Sequence, residues 1–128
     1  MKTKIIFKEM LLGVVIMLLW SFNYLTSSKA PHHGKVKNNG FYNIEVKNDY
    51  PYLFAYLLDK NLNPIVDKEI YCHTMFYFPN NTKMNVAMKR HKEDGFETEL
   101  STNSFSSFRI RFYVHGKMVS QQFENDLK

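Results

Sequence analysis

From Phe41 onward the sequence alternates. Phe41-Tyr-Asn-Ile-Glu-Val-Lys47 sets Tyr42, Ile44 and Val46 on one side of an extended chain and Asn43, Glu45 and Lys47 on the other. Side chains of a strand point alternately to opposite faces, so this pattern fits a half-buried strand and not a helix. Comparable runs follow at Tyr52 to Leu58, Ile70 to Phe78, Met84 to Arg90, Phe96 to Leu100, Phe105 to His115 and Met118 to Phe123, with a brief edge piece at Ile65 to Asp67. Turn residues separate them: Asn48-Asp49-Tyr50-Pro51, Asp59 to Pro64, Pro79-Asn80-Asn81 and His115-Gly116-Lys117. Asn and Asp tolerate or bond their own turns, and proline cannot donate to a sheet ladder. About seven short strands rich in Phe and Tyr predict an all-β fold, an antiparallel β-sandwich. No stretch after residue 30 carries a helical period.

The first 30 residues are different in kind. Lys2, Lys4 and Lys8 precede an unbroken apolar run from Met10 to Trp20. A run of that length suits the core of a signal peptide, whereas a full membrane span needs about 20 residues. Counting from Ile5 to Leu25 gives a helix of about 31 Å, long enough to span, with Lys8 at the inner interface and Trp20 and Tyr24 in the outer aromatic belt. Residues 1–30 are therefore read as a signal peptide or an N-terminal membrane anchor, one hydrophobic helix with its linker. Residues 31–128 form the single exported domain. Both readings place that domain outside the cytoplasm, in the periplasm, either anchored to the inner membrane through residues 5–25 or released. Ser28-Lys29-Ala30 is one cleavage signal and Thr26-Ser27-Ser28 another.

The formal charge of +5 must be divided before it is read. Residues 1–30 hold Lys2, Lys4, Lys8 and Lys29 against Glu9, and the rest of the chain carries thirteen basic and eleven acidic side chains. That leaves the domain near neutrality, with basic residues scattered among acids. A nucleic-acid partner needs a concentrated basic footprint, so none is expected.

Candidate chemistry lies with the histidines. Ala30-Pro31-His32-His33-Gly34 places two imidazoles where the domain begins, on what reads as an exposed lead-in ending in the turn Asn38-Asn39-Gly40. Neutral imidazole ligates copper and zinc, and two of them make half a tetrahedral site. The plain alternative is a solvated entry segment shaped by Pro31 and Gly34. If cleavage fell before Pro31, the new amine, two amides and His33 would suit square-planar Cu(II).

A second candidate comes from strand alternation. Tyr71, His73, Met75 and Tyr77 share one face, and Cys72, Thr74, Phe76 and Phe78 share the more apolar one, expected in the core. His73 and Met75 would then project together, an N,S pair for a soft metal. His115 would join them from a strand whose inward set is Phe108, Ile110, Phe112 and Val114. Met84, Val86 and Met88 read as core filling. Cys72 is the single cysteine and has no intramolecular disulfide partner. Glu93-Asp94 precedes Gly95 in a turn, and Asn80-Asn81-Thr82 fits a glycosylation sequon or plain turn chemistry. A nucleophile with its base and orienting group is not discernible, and neither is a phosphate loop, so the chain is read as a non-enzyme.

Pro31-His-His-Gly-Lys-Val-Lys-Asn-Asn-Gly-Phe-Tyr-Asn-Ile-Glu-Val46, Tyr56-Leu-Leu-Asp-Lys-Asn-Leu-Asn-Pro64 and Val114-His-Gly-Lys-Met-Val-Ser-Gln-Gln-Phe123 together resemble a family of small exported bacterial domains that open on Pro-His and accompany copper and other heavy-metal efflux systems. The resemblance implies an immunoglobulin-like sandwich of the FixH, YtkA and CopC kind. It also implies a role in metal handling outside the cytoplasm beside an efflux or envelope protein. Clustered cysteines and Met-rich runs, which sometimes accompany such domains, are absent here. The expectation is a non-enzymatic domain that holds copper or zinc weakly through His32 and His33. The alternative is a metal-free module that docks on an envelope protein.

Overall fold

The computed structural model describes residues 30–126. The hydrophobic stretch from Ile5 to Leu25, and with it the anchor or signal peptide, lies outside the described residues. Among those described, no helix is long and apolar enough to cross a membrane.

Nine strands follow in order: β1 Lys35–Asn39, β2 Tyr42–Asp49, β3 Tyr52–Leu58, β4 Tyr71–Tyr77, β5 Lys83–Ala87, β6 Lys89–His91, β7 Gly95–Glu99, β8 Ser107–Val114 and β9 Lys117–Glu124. They form two antiparallel sheets, one ordered β1-β2-β3-β7-β6 and the other β5-β4-β8-β9. The chain passes between sheets after β3, after β5 and after β7. Each sheet therefore has one apolar face turned to the other, and the fold is an all-β sandwich.

The core follows the alternation in β4 and β8. Cys72, Thr74 and Phe76 of β4 are buried against Phe108, Ile110 and Phe112 of β8, while His73 and Met75 face outward. The opposing sheet supplies Ile44, Val46, Leu53, Ala55, Leu57 and Phe96. Phe76 packs edge-on to Phe105 with centroids 4.8 Å apart, and Phe96 to Phe112 at 5.7 Å. The β8–β9 hairpin closes on His115 and Gly116, both at positive φ. Two such central residues make the tight turn whose twist matches the flanking strands.

Three features depart from the sequence expectation. The lead-in is itself a strand, since β1 pairs along its whole length with β2, from Lys35↔Val46 to Asn39↔Tyr42. The run Met84 to Arg90 is two strands in different sheets. Buried Met88 is the crossing point, and alternation continues through it, so the run reads as one. Ile65 to Asp67 is not a strand. Pairing there stops at one bridge, Leu58↔Pro64, because proline offers no N–H to extend a ladder.

Candidate functional site

Glu45 is fully buried although it lies on the outer face of its sheet. The cross-strand row Val36–Glu45–Tyr56–Gly95–His91 explains how. Tyr56 lies flat over Gly95, where a Cβ would come within 2.5 Å of the ring. The lead-in then folds back over the row. Gly34 passes so close to β2 that a Cβ would sit 2.2 Å from the Val46 carbonyl oxygen. Only glycine allows either approach.

This packing delivers His32 onto Tyr56. The two rings stack with centroids 3.6 Å apart and an interplanar angle of 6°. The imidazole Nδ1 lies 2.8 Å from Glu45 Oε1, and Nε2 lies 2.8 Å from Asp94 Oδ2. Glu45 Oε2 accepts two backbone N–H groups, from His32 at 2.9 Å and Gly34 at 2.8 Å. Each imidazole nitrogen therefore has a carboxylate oxygen within hydrogen-bond distance, and the ring bridges β2 to the turn before β7. A buried carboxylate is tolerated when paired and hydrogen-bonded, and Glu45 meets both conditions. The Tyr56 hydroxyl is pushed up to about 12, first by burial and then by the negative charges of Asp94, Glu45 and Glu97. That phenol stays neutral across the physiological range and is a poor base. The constellation fixes a segment of chain on the sheet.

Sequence reasoning placed His32 on exposed chain outside the sandwich, and the structure corrects this, since its side chain is only 23% exposed. The physical reason is the pair of glycine approaches, which let the lead-in lie down on the sheet. Both His32 ring nitrogens lie against carboxylate oxygens in this arrangement. His33 is exposed, has positive φ and points away into an open groove beside Lys35, Lys47 and Glu124. The two neighbouring imidazoles are therefore not presented together.

Glu45, Tyr56 and Asp94 were not singled out as site residues. The one available signal is Gly34 in the lead-in and Gly95 after Asp94, the two glycines that permit the close approaches. Neither glycine places Asp94 beside His32, 62 residues away in sequence.

His73 and Met75 do share the outer face of β4, with His73 edge-on to Tyr113 at 5.6 Å. His115 lies in the turn beyond β8 and pairs elsewhere, with Nε2 2.7 Å from Asp67 Oδ2 and Nδ1 3.6 Å from Glu69 Oε2. Strand register sets Arg111 opposite His73 and Tyr113 opposite Tyr71, which leaves His115 past the end of the β4 ladder. Asp67, Glu69 and His115 each offer one ligand atom within 4.8 Å of the others, on an open surface. Asp67 is held below the usual carboxylate range, first by the Glu69 backbone N–H and then by His115.

The outer face of the β5-β4-β8-β9 sheet is the other notable surface. Tyr71, Tyr113 and Met118 stand side by side across three strands and are 65%, 39% and 58% exposed. Two rows along on the same face, Arg109 donates to Ser120 Oγ and Gln122 Oε1, both at 3.1 Å and both neutral. Arg111 has an Nε that is buried without a hydrogen-bond partner among the described residues. The outward positions of these strands hold Lys83, Arg109 and Arg111 against Glu124. Compared with known proteins, the chain matches no family model, no curated protein and no solved structure.

Proposed function

We propose that this chain is a non-enzymatic, extracytoplasmic docking module that binds an acidic surface of an envelope protein with the outer face of its β5-β4-β8-β9 sheet. The observation that carries the reading is the exposed Tyr71–Tyr113–Met118 row beside two guanidiniums without a carboxylate partner among the described residues. Tyr, Met and Arg are the side chains enriched at interface centres, and a net positive face steers a negative partner. In the same reading the sandwich is immunoglobulin-like. Its sheets have the order expected when β2, β3, β7 and β6 stand for strands A, B, E and D, and β9, β8, β4 and β5 for G, F, C and C′, with β1 added outside. The export signature of residues 1–30 supports the compartment.

A photo-crosslinking side chain at position 113 in producing cells tests the docking. An adduct with another protein is expected, weakened by salt and lost in Arg111→Glu, while the same probe at Phe54, on the opposite sheet, gives none. No adduct, or one indifferent to Arg111→Glu, overturns the reading.

A second reading, weak heavy-metal handling, has the Asp67–Glu69–His115 group in its favour. Titration with Cu(I), Cu(II) and Zn(II) separates the two. Micromolar binding abolished by His115→Ala supports metal handling at this group, and binding abolished by His33→Ala restores the lead-in as the metal site.

A further inference from the structure

The sandwich treats its two open sides differently. On one side β1 and β9 are the sheet edges, and side chains cap them across the gap. Asn39 Nδ2 donates to the Ser120 carbonyl at 2.9 Å, Gln121 Nε2 to the Asn38 carbonyl at 2.7 Å, and the Lys37 ammonium to the Gln122 carbonyl. On the other side β6 is an edge of only three residues, two of them Lys89 and Arg90. Short, charged edges resist pairing with other chains. β5 is longer, has one charge, Lys83, at its first position, and has no such side-chain cap among the described residues.

The register of β5 shows which of its backbone groups are spent. Phe78 N–H bonds the Thr82 carbonyl and Met88 N–H bonds the Cys72 carbonyl, with Phe76↔Met84 and Thr74↔Val86 between them. Thr82, Met84, Val86 and Met88 therefore turn their N–H and C=O toward β4. Those of Lys83, Asn85 and Ala87 point out of the sheet. Met84 and Val86 face inward, yet Met84 is 42% exposed. It borders a small cleft between the sheets, lined also by Phe78, Leu100 and Phe105.

We infer that β5 is a self-association edge, paired antiparallel with β5 of a second copy about a two-fold axis through Asn85. The sequence of β5 fits this register. Lys83 falls opposite Ala87 of the other copy, so no like charges meet, and all three outward-pointing residues find partners. Met84 falls opposite Val86 of the other copy on the inner face, which covers the exposed thioether. Asn85 faces itself, amide to amide. The two four-stranded sheets become one eight-stranded sheet with both outer faces on the same side. The inference does not depend on the docking role of that face.

The test uses the full-length chain in detergent micelles. Asn85→Cys should form an interchain disulfide on mild oxidation, while Lys83→Cys and Met84→Cys, which do not face themselves, should form little; buried Cys72 stays silent. Asn85→Lys sets like charges against each other at the axis. Asn85→Pro removes an N–H that points outward and so spares the β4 ladder. Sedimentation over about 1–200 µM should show the wild type dimerising and either variant weakening the dimer about tenfold or more. A monomeric wild type, a dimer untouched by both variants, or equal cross-linking at positions 83, 84 and 85 would each overturn the inference.

Discussion

At the scale of single residues, the buried Glu45 carboxylate sets what can be changed. Removing His32 takes a hydrogen-bond partner from a buried carboxyl group, and leaving such a group short of a partner costs about 1–3 kcal/mol. His32→Ala should therefore lower unfolding free energy by about that amount in urea titration. Adding Glu45→Met should recover much of the loss, since an apolar replacement of both partners leaves no orphaned charge. Tyr56 makes a separate prediction on the alkaline side. Its pKa is raised from 10.0 to about 12 in the folded protein, so the folded state keeps a proton that the unfolded state gives up first. The stability linked to Tyr56 is complete below pH 10 and is lost as pH climbs from 10 toward 12. Tyr56→Phe should flatten that part of the stability–pH curve, and an unchanged alkaline slope would show that Tyr56 is not its source. None of this was legible from period-two alternation. The pattern assigns Glu45 to the solvent side of β2, and strand alternation cannot report that a distant segment covers that side.

At the scale of elements, β4 and β8 were readable because each is half-buried between one core and open solvent, so hydropathy reports burial directly. Phe112, at the centre of β8 and against Phe96, is fully buried, and Phe112→Ala should cost about 3–5 kcal/mol. The β5–β6 stretch reads as one strand because Met88 continues the alternation while the chain changes sheets. Its three apolar residues consequently differ in weight. Met88 is 8% exposed, with Thr74 Oγ1 2.9 Å and Cys72 Sγ 3.4 Å from its sulfur, whereas Met84 is 42% exposed at the open edge. Met88→Ala should cost about 2–4 kcal/mol and Met84→Ala in the monomer under about 1 kcal/mol. Equal losses would mean that the cleft beside β5 is closed in solution. Cys72 belongs to the same buried group. Burial pushes its thiol up, so alkylation should require unfolding.

At the scale of the molecule, the fastened lead-in and the exposed aromatic row lie on opposite faces of the sandwich. Residues 30–34 rest on the outer side of one sheet, and Tyr71, Tyr113 and Met118 stand on the outer side of the other. Ala30 thus lies on the side of the sandwich away from the proposed docking surface. The His32 clamp is local, however. It ties down one short segment, while the core is held by strand pairing and aromatic packing that do not involve it. Stability should therefore be distributed in two tiers, with the lead-in opening below the global free energy. Hydrogen exchange can read this directly, because the His32 and Gly34 amides both donate to Glu45 Oε2. In the wild type these two amides should be slow despite their place near the start of the domain. Glu45→Ala removes their acceptor and the partner of His32 together, so both should exchange at rates near those of unstructured chain. The amides of Ile110 and Phe112 should fall only by the loss in global stability. If all four accelerated by the same factor, the lead-in and the sandwich would open as one unit, and the clamp would be part of the cooperative core.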